Sequence, residues 1–353
     1  MPKEHRPRRG SLGFVRKRAR RIYPRVSTWP KIDEVKLLGF PVYKVGMLTV
    51  HEIGIQKTKP FIYGLKRAIA ATALEAPPIK IMGVRVYKLT TYGLRTLGEA
   101  WISNFTDFEK KYLGRKVTLP KKLTEEEVNR RLDKFEELIE NGEIDVVRAI
   151  IRTRPELTKI GKKKPEVLEI QVGGQVKKAF NYIRENLGEE LNITDIFSTG
   201  EFVDLVGVTK GKGFQGVVKR FGVKKLPDKT KKEKRAVGSL GPWTPGRVMW
   251  TVPRYGQLGF FKRTEYNKQI LAIINDEEEI KKLNPKGGWL HYGIILNPAV
   301  VIRGSAMGPP KRLLLLRKAI RPSEKSFIPK IVGFTYSREV LNIDIKKLPS
   351  PSV

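Results

Sequence analysis

The chain has 353 residues, 70 Lys and Arg against 36 Asp and Glu, and a formal net charge of +34. That charge repels itself in isolation and calls for an anionic partner: nucleic acid, an anionic membrane surface or an acidic protein. Cysteine is absent, which excludes disulfides, thiol catalysis and cysteine-bound zinc. A hydrophobic content of 40% suffices for a packed core, and the length allows one large or two ordinary domains. No apolar stretch reaches the roughly 20 residues that cross a bilayer. The runs near 294–302 and 313–316 are short and flanked by charge.

Residues 1–35 read as a basic arm. The first 25 hold ten Lys or Arg and one acid, Glu4. Pro2, Pro7, Gly10 and Gly13 break the helix a transit peptide would need, and no apolar core of a secretory signal is present. The plain reading is a solvated tail. Phe14, Tyr23 and Trp29 among the arginines favour an arm that orders on nucleic acid. Residues 36–105 have β character: VGMLTVHEI and IKIMGVRVYKL alternate or run apolar. GLKRAIAATALEAPP between them reads as a short helical or irregular connection ended by Pro77 and Pro78.

Residues 106–190 read as an inserted α/β module. Thr124 with Glu127 is a capping-box signature, and Val128, Leu132, Phe135 and Leu138/Ile139 form one apolar helix face. Residues 123–145 hold nine acids and three bases, so this helix faces solvent or a basic neighbour. EVLEIQV follows as a strand, then VKKAFNYIRENLG as a second amphipathic helix with Gly188 as its stop. β character resumes over residues 191–208 and 265–353, with strands at 202–208, 269–275, 291–303 and 330–336. Strands on both sides of an insertion imply one barrel built from both halves of the chain.

Residues 209–264 form a connection too long for an ordinary loop, and such loops are usually functional. Gly211, Gly213 and Gly216 allow positive φ and close approach, while Lys210, Lys212, Lys219 and Arg220 supply cations. Lysines continue to Arg235, which suits a polyanion better than one nucleotide. The run GKGFQG matches a dinucleotide fingerprint, yet only about one helical turn follows before Gly222 and Pro227, so the required βαβ context is missing. His5, His51 and His291 are scattered, neither Ser239 nor Ser305 sits in a nucleophile elbow, and no metal-ligand cluster is present. In GPWTPGRVMWTVPRYGQLGFF, Trp243, Trp250, Tyr255, Phe260 and Phe261 alternate with Arg247 and Arg254, and three prolines deny it a helix. Some of these rings belong to a satellite core. Trp243 and Arg247 read as a stiff finger that stacks on unpaired bases.

The residues Phe197, Asp204, Gly207, Thr209, Gly211, Lys212, Gly213, Gly216 and Arg220 resemble the signature of the large ribosomal subunit protein L-three family. PVYKVGMLTV, GPWTPGRV, KRTEYNKQI and RGSAMGPPKRLLLLRKAI are similar to further family segments, so the likeness covers nearly the whole chain. RPRRGSLGF and the short C-terminal end resemble the archaeal form. The resemblance implies a mainly β fold with an α/β insertion: a six-stranded barrel, a long central extension and a basic arm. It implies a cytoplasmic, non-enzymatic rRNA-binding constituent of the large subunit that binds near the rRNA 3′ end early in assembly. Its partners would be rRNA and neighbouring ribosomal proteins, with no cofactor, metal, membrane or small-molecule substrate. The implied rRNA contacts are Arg8, Arg9, Arg16, Arg18, Arg20 and Arg21 in the arm. In the extension they are Lys210, Lys212, Lys219, Arg220, Lys224, Lys225, Lys231, Lys234, Arg235, Arg247, Arg254, Lys262 and Arg263, with Trp243 at the tip near the peptidyl-transferase centre. Eukaryotic members carry a modified histidine in the basic loop, where this chain has Lys231. Two other classes stay open on residues alone: another nucleic-acid-binding protein, and a nucleotide-dependent enzyme using the Gly-rich loop.

Overall fold

The computed structural model describes residues 17–53, 64–113, 124–231, 233–323, 330–337, 339–341 and 343. These are mainly β with a few helices. They divide into two compact units, Tyr23–Gly207 with Thr264–Val353, and Met1–Ile22 with Val208–Arg263. The larger unit begins with β1 (Gly39–Ile53), β2 (Lys66–Glu75), β3 (Ile79–Thr90), β4 (Gly93–Trp101), α1 (Asp107–Leu113) and α2 (Glu125–Glu140). It continues through β5 (Val146–Arg152), β6 (Val167–Gln171), α3 (Val176–Glu185), β7 (Glu190–Leu191) and β8 (Phe202–Val208). The smaller unit holds β9 (Gly211–Gln215), α4 (Val217–Phe221) and β10 (Gly256–Gly259). After β11 (Lys262–Ile274) come α5 (Glu277–Leu283), β12 (Ala299–Arg303), β13 (Leu313–Lys318), β14 (Lys330–Tyr336) and β15 (Glu339–Leu341).

Six strands of the larger unit pair in a ring: β13, β8, β11, β12, β2 and β1, with β1 pairing back to β13. β1 is long enough to serve two partners. Its first residues match β13, with Phe40 opposite Leu316 and Val42 opposite Leu314. Its last residues match β14, with Val50 opposite Phe334. Phe40, Tyr43, Leu74, Leu205, Val300 and Leu314 are buried in the shared core. A second sheet runs β4-β3-β5-β6, with β7 on β3.

Three expectations need correction. The segment GLKRAIAATALEAPP contains β2, not a helix. Its alanines favour helix locally, but β2 has a partner on each edge, β1 and β12, and tertiary pairing overrides that preference. Residues 79–101 are expected in the barrel half, yet β3 pairs with β4 on one edge and with β5 on the other, in the second sheet. Trp29 is not a stacking group of the arm. It is 8% exposed, and Gly39 leaves room for its ring.

The helices of the second sheet follow the sequence closely. The Thr124 hydroxyl accepts from the Glu127 backbone N–H at 3.4 Å, and Val128, Leu132 and Phe135 are buried. α3 buries Ala179, Phe180 and Ile183, and Gly188 beyond its end has φ +90°. The Glu75 carboxylate accepts from the Tyr292 hydroxyl, from the backbone N–H of Leu296 and Asn297 at 3.0 and 3.1 Å, and from Asn297 Nδ2 at 2.8 Å. Asn297 Nδ2 also donates to the Leu157 carbonyl at 3.1 Å, which ties the end of β2 to the turn after β5. Burial, reinforced by the Glu75 charge, pushes the Tyr292 phenol well above its ordinary value, so it stays a donor. No helix among the described residues is long and apolar enough to cross a membrane.

Gly207 in β8 is fixed by packing. A Cβ there would lie 2.3 Å from Leu314 Cδ2 and 3.0 Å from Met307 Sδ. Both neighbours are buried, so Gly207→Ala is expected to cost about 1–3 kcal/mol through overpacking. Urea unfolding followed by tryptophan fluorescence measures it. An unchanged midpoint would mean that the Leu314 side chain moves aside freely.

Candidate nucleic-acid interface

The glycine-rich loop folds as β9, which pairs antiparallel with β10: Gln215 lies opposite Gly256 and Phe214 opposite Gln257. Of the three glycines expected to allow close approach, Gly213 has positive φ, +66°. Gly211 and Gly216 do not, although no atom of the chain lies within 4 Å of a Cβ placed at Gly216. Gly259, not singled out from sequence, is the tightest position. Its φ is +71°, and a Cβ there would sit 2.0 Å from the Lys210 carbonyl oxygen. α4 is one short turn that stops at Gly222, φ +71°, so no dinucleotide-type helix follows the loop. Gln215, Gly216, Val218, Lys219 and Arg235 line a cavity of about 160 Å³. Small-molecule pockets run to roughly 300–1,000 Å³. This one is smaller than that range.

Arg220 does different work from its neighbours. Its guanidinium donates to the backbone carbonyls of Gln257 at 3.1 Å and Arg254 at 2.8 Å. It therefore clasps the two ends of the 221–253 segment together. Its sequence context, one cation among many, did not reveal this. Lys234 pairs with Asp228 at 3.0 Å. Lys210, Lys212, Lys219, Lys224, Lys225, Lys231, Arg235, Arg247 and Arg254 are exposed. Lys262 is exposed and Arg263 half-buried, and both have partners within the chain.

The aromatic run divides into buried and exposed rings. Phe261 is buried, and its backbone N–H donates to Thr209 Oγ1 at 3.1 Å. Tyr255 rests against Phe214, centroids 5.5 Å apart. Trp243 is 96% exposed and Trp250 75%. Large exposed rings within a cationic segment have a face open for stacking.

Arg18, Arg20 and Arg21 are exposed, while Arg8, Arg9, Arg16 and Phe14 lie outside the described residues. Residues 17–22 and 208–263, far apart in sequence, belong to the same unit. Ala19 N–H donates to the Phe260 carbonyl at 2.8 Å, and the Arg18 guanidinium lies 5.7 Å from the Phe260 ring centre. Phe260 holds φ +55°, rare for an aromatic residue. No local signal in the sequence announces this contact. Among the described residues no group of three metal-ligating side chains converges.

A sequence model of the family described as ribosomal protein L3 matches residues 1–343. The chain is 48% identical to the large ribosomal subunit protein uL3 of Methanocaldococcus jannaschii, over 94% of this chain and 96% of that one. It is 46% identical to the protein of that name from Archaeoglobus fulgidus, over 92% and 95%. The Methanosphaera stadtmanae protein of that name is 44% identical over the same shares. All three organisms are archaea. The chain belongs to the ribosomal protein L3 family, whose members are structural, non-enzymatic proteins of the large ribosomal subunit in the cytoplasm.

Proposed function

We propose that this chain binds large-subunit rRNA near its 3′ end, helps to nucleate subunit assembly, and supports the peptidyl-transferase and A-site region through residues 209–264. The six-strand ring is read as the family's barrel, with 106–190 as its inserted module. Neighbouring ribosomal proteins are its further partners. The observation that carries this reading is the exposed Trp243 within a segment rich in exposed cations. Phosphate contacts by Lys and Arg would supply affinity, and the rings would stack on unpaired bases.

Trp243→Ala tests the tip. Pro242 and Pro245 stiffen the backbone around it, so little ordering entropy is lost on docking. The ring touches no core, so folding and incorporation into the subunit should persist. Losing a base-stacking contact costs about 1–3 kcal/mol, enough to bias the local rRNA arrangement. The expected result is altered aminoacyl-tRNA accommodation and A-site affinity on purified mutant ribosomes. Normal values for both at full occupancy of the mutant protein would reduce Trp243 to packing.

A further inference from the structure

We propose that the free edge of β4, with the β3–β4 turn, is the docking site of another large-subunit protein, which adds an extended basic segment beside β4. The inference rests on the placement of this chain in the large subunit and deepens it by naming a surface and the chemistry of its occupant.

β4 is an edge strand. It pairs with β3, and among the described residues nothing pairs with its other side. Such an edge presents unpaired backbone donors and acceptors, a template for strand addition. The strand runs nine residues without proline, and its first five residues are exposed. The end of the hairpin is apolar. Leu89 stands opposite Leu94 in register, and Tyr92 in the turn is 100% exposed. Leu97 is the extra residue where the β3–β4 register shifts, and it is as exposed as Leu94. Four large apolar side chains exposed at one hairpin end form the kind of patch that marks a protein interface.

Charge separates a protein occupant from RNA. The chain carries +34, yet residues 106–190 hold 19 bases against 17 acids. Beside the turn, Lys88 is 3.7 Å from Glu143, and Asp145 accepts from the Leu89 backbone N–H at 2.6 Å. α2 packs against β4, where Gly98 makes room for the Phe135 ring. That helix holds seven acids and three bases. Among the described residues its exposed Glu126, Glu127 and Glu137 have no ion pair. Phosphates are repelled by such a border, whereas Lys and Arg on a polypeptide are attracted to it. In an added strand, side chains alternate between the two faces. One set would meet Leu89 and Leu94, and the other would reach toward α2.

A benzophenone side chain placed at Tyr92, or separately at Leu97, in assembled large subunits tests this by photocrosslinking. The expected product at both positions is a polypeptide adduct whose mapped segment is rich in Lys and Arg. In the Leu94→Glu, Leu97→Glu double variant, confirmed to be incorporated, the Tyr92 adduct should fall by roughly tenfold or more, as when anchors of an interface are lost. Adducts to rRNA, an acidic mapped peptide, or no adduct at either position would overturn the proposal. The same probe at Leu240 in the extension reports separately on rRNA binding. Failure there counts against the rRNA reading and not against the β4 edge.

Discussion

Asp204→Ala is expected to lower the unfolding free energy by about 3–5 kcal/mol, because it strands a buried guanidinium. Asp204 is fully buried and Arg317 is 4% exposed. Arg317 Nη2 lies 2.6 Å from Asp204 Oδ2, directly across the β8–β13 pairing. The same carboxylate accepts from the backbone N–H of Asn267 at 3.1 Å and Ile320 at 3.2 Å. The other arm of the guanidinium donates to the Thr28 carbonyl at 2.7 Å. One carboxylate thus ties β8, β11, the segment after β13 and, through Arg317, the chain that leads into β1. Asn267 sits at φ +53°, a conformation that this hydrogen bond helps to hold. Asp204→Asn keeps an acceptor but removes the charge, and should lose less. Urea unfolding of the three proteins checks the order. A loss below about 1 kcal/mol for Asp204→Ala would rank the pair with ordinary exposed ion pairs.

Changing Lys210, Lys212, Lys219, Lys224 and Lys225 together to Gln is expected to flatten the salt dependence of rRNA binding. All five are exposed and make no ion pair among the described residues. Each phosphate contact adds roughly 0.7–0.9 to the slope of log affinity against log salt, so the slope should fall by roughly 4. Lys234→Gln alone should do less than any of the five, because Asp228 already offsets that charge. Filter binding of the purified chain to large-subunit rRNA across a KCl series gives the slopes. An unchanged slope in the fivefold variant would remove β9 and the basic loop from the interface.

The smaller unit was legible because its signals are local. Three glycines, spaced lysines and a Pro-stiffened aromatic run are visible in a short window, and Trp243 within it is exposed. The α2 face was legible for the same reason. What the sequence hid depends on distant partners. β2 reads as a short helical or irregular connection until β1 and β12 flank it. β3 has the pattern of any strand, and nothing in its residues says which sheet it joins. The Leu313–Lys318 run is a core strand because β1 and β8 both pair with it. Arg220 looks like one more phosphate ligand until the carbonyls of residues 254 and 257 close around it.

α1 carries a cap signal that periodicity does not support. Thr106 and Glu109 repeat the spacing read correctly at Thr124 and Glu127. Thr106 N–H donates to Glu109 Oε2 at 2.9 Å, and Glu109 N–H donates to Thr106 Oγ1 at 3.3 Å. The helix is short and carries no long apolar stripe, so periodicity gave nothing to confirm the cap. Its buried Glu109 meets Arg152 at 2.6 Å, a partner more than forty positions along the chain.

In the proposed interface the cationic segment 209–264 faces rRNA while the acidic helix α2 does not. Hydroxyl radicals generated from iron tethered at single positions in assembled large subunits test it most directly. Probes at Ser239 and Trp250 should cut the large-subunit rRNA strongly, and probes at Glu126, Glu137 and Glu143 should cut it weakly or not at all. Strong cleavage from the three glutamate positions, with none from Ser239 and Trp250, would contradict the assignment of the interface.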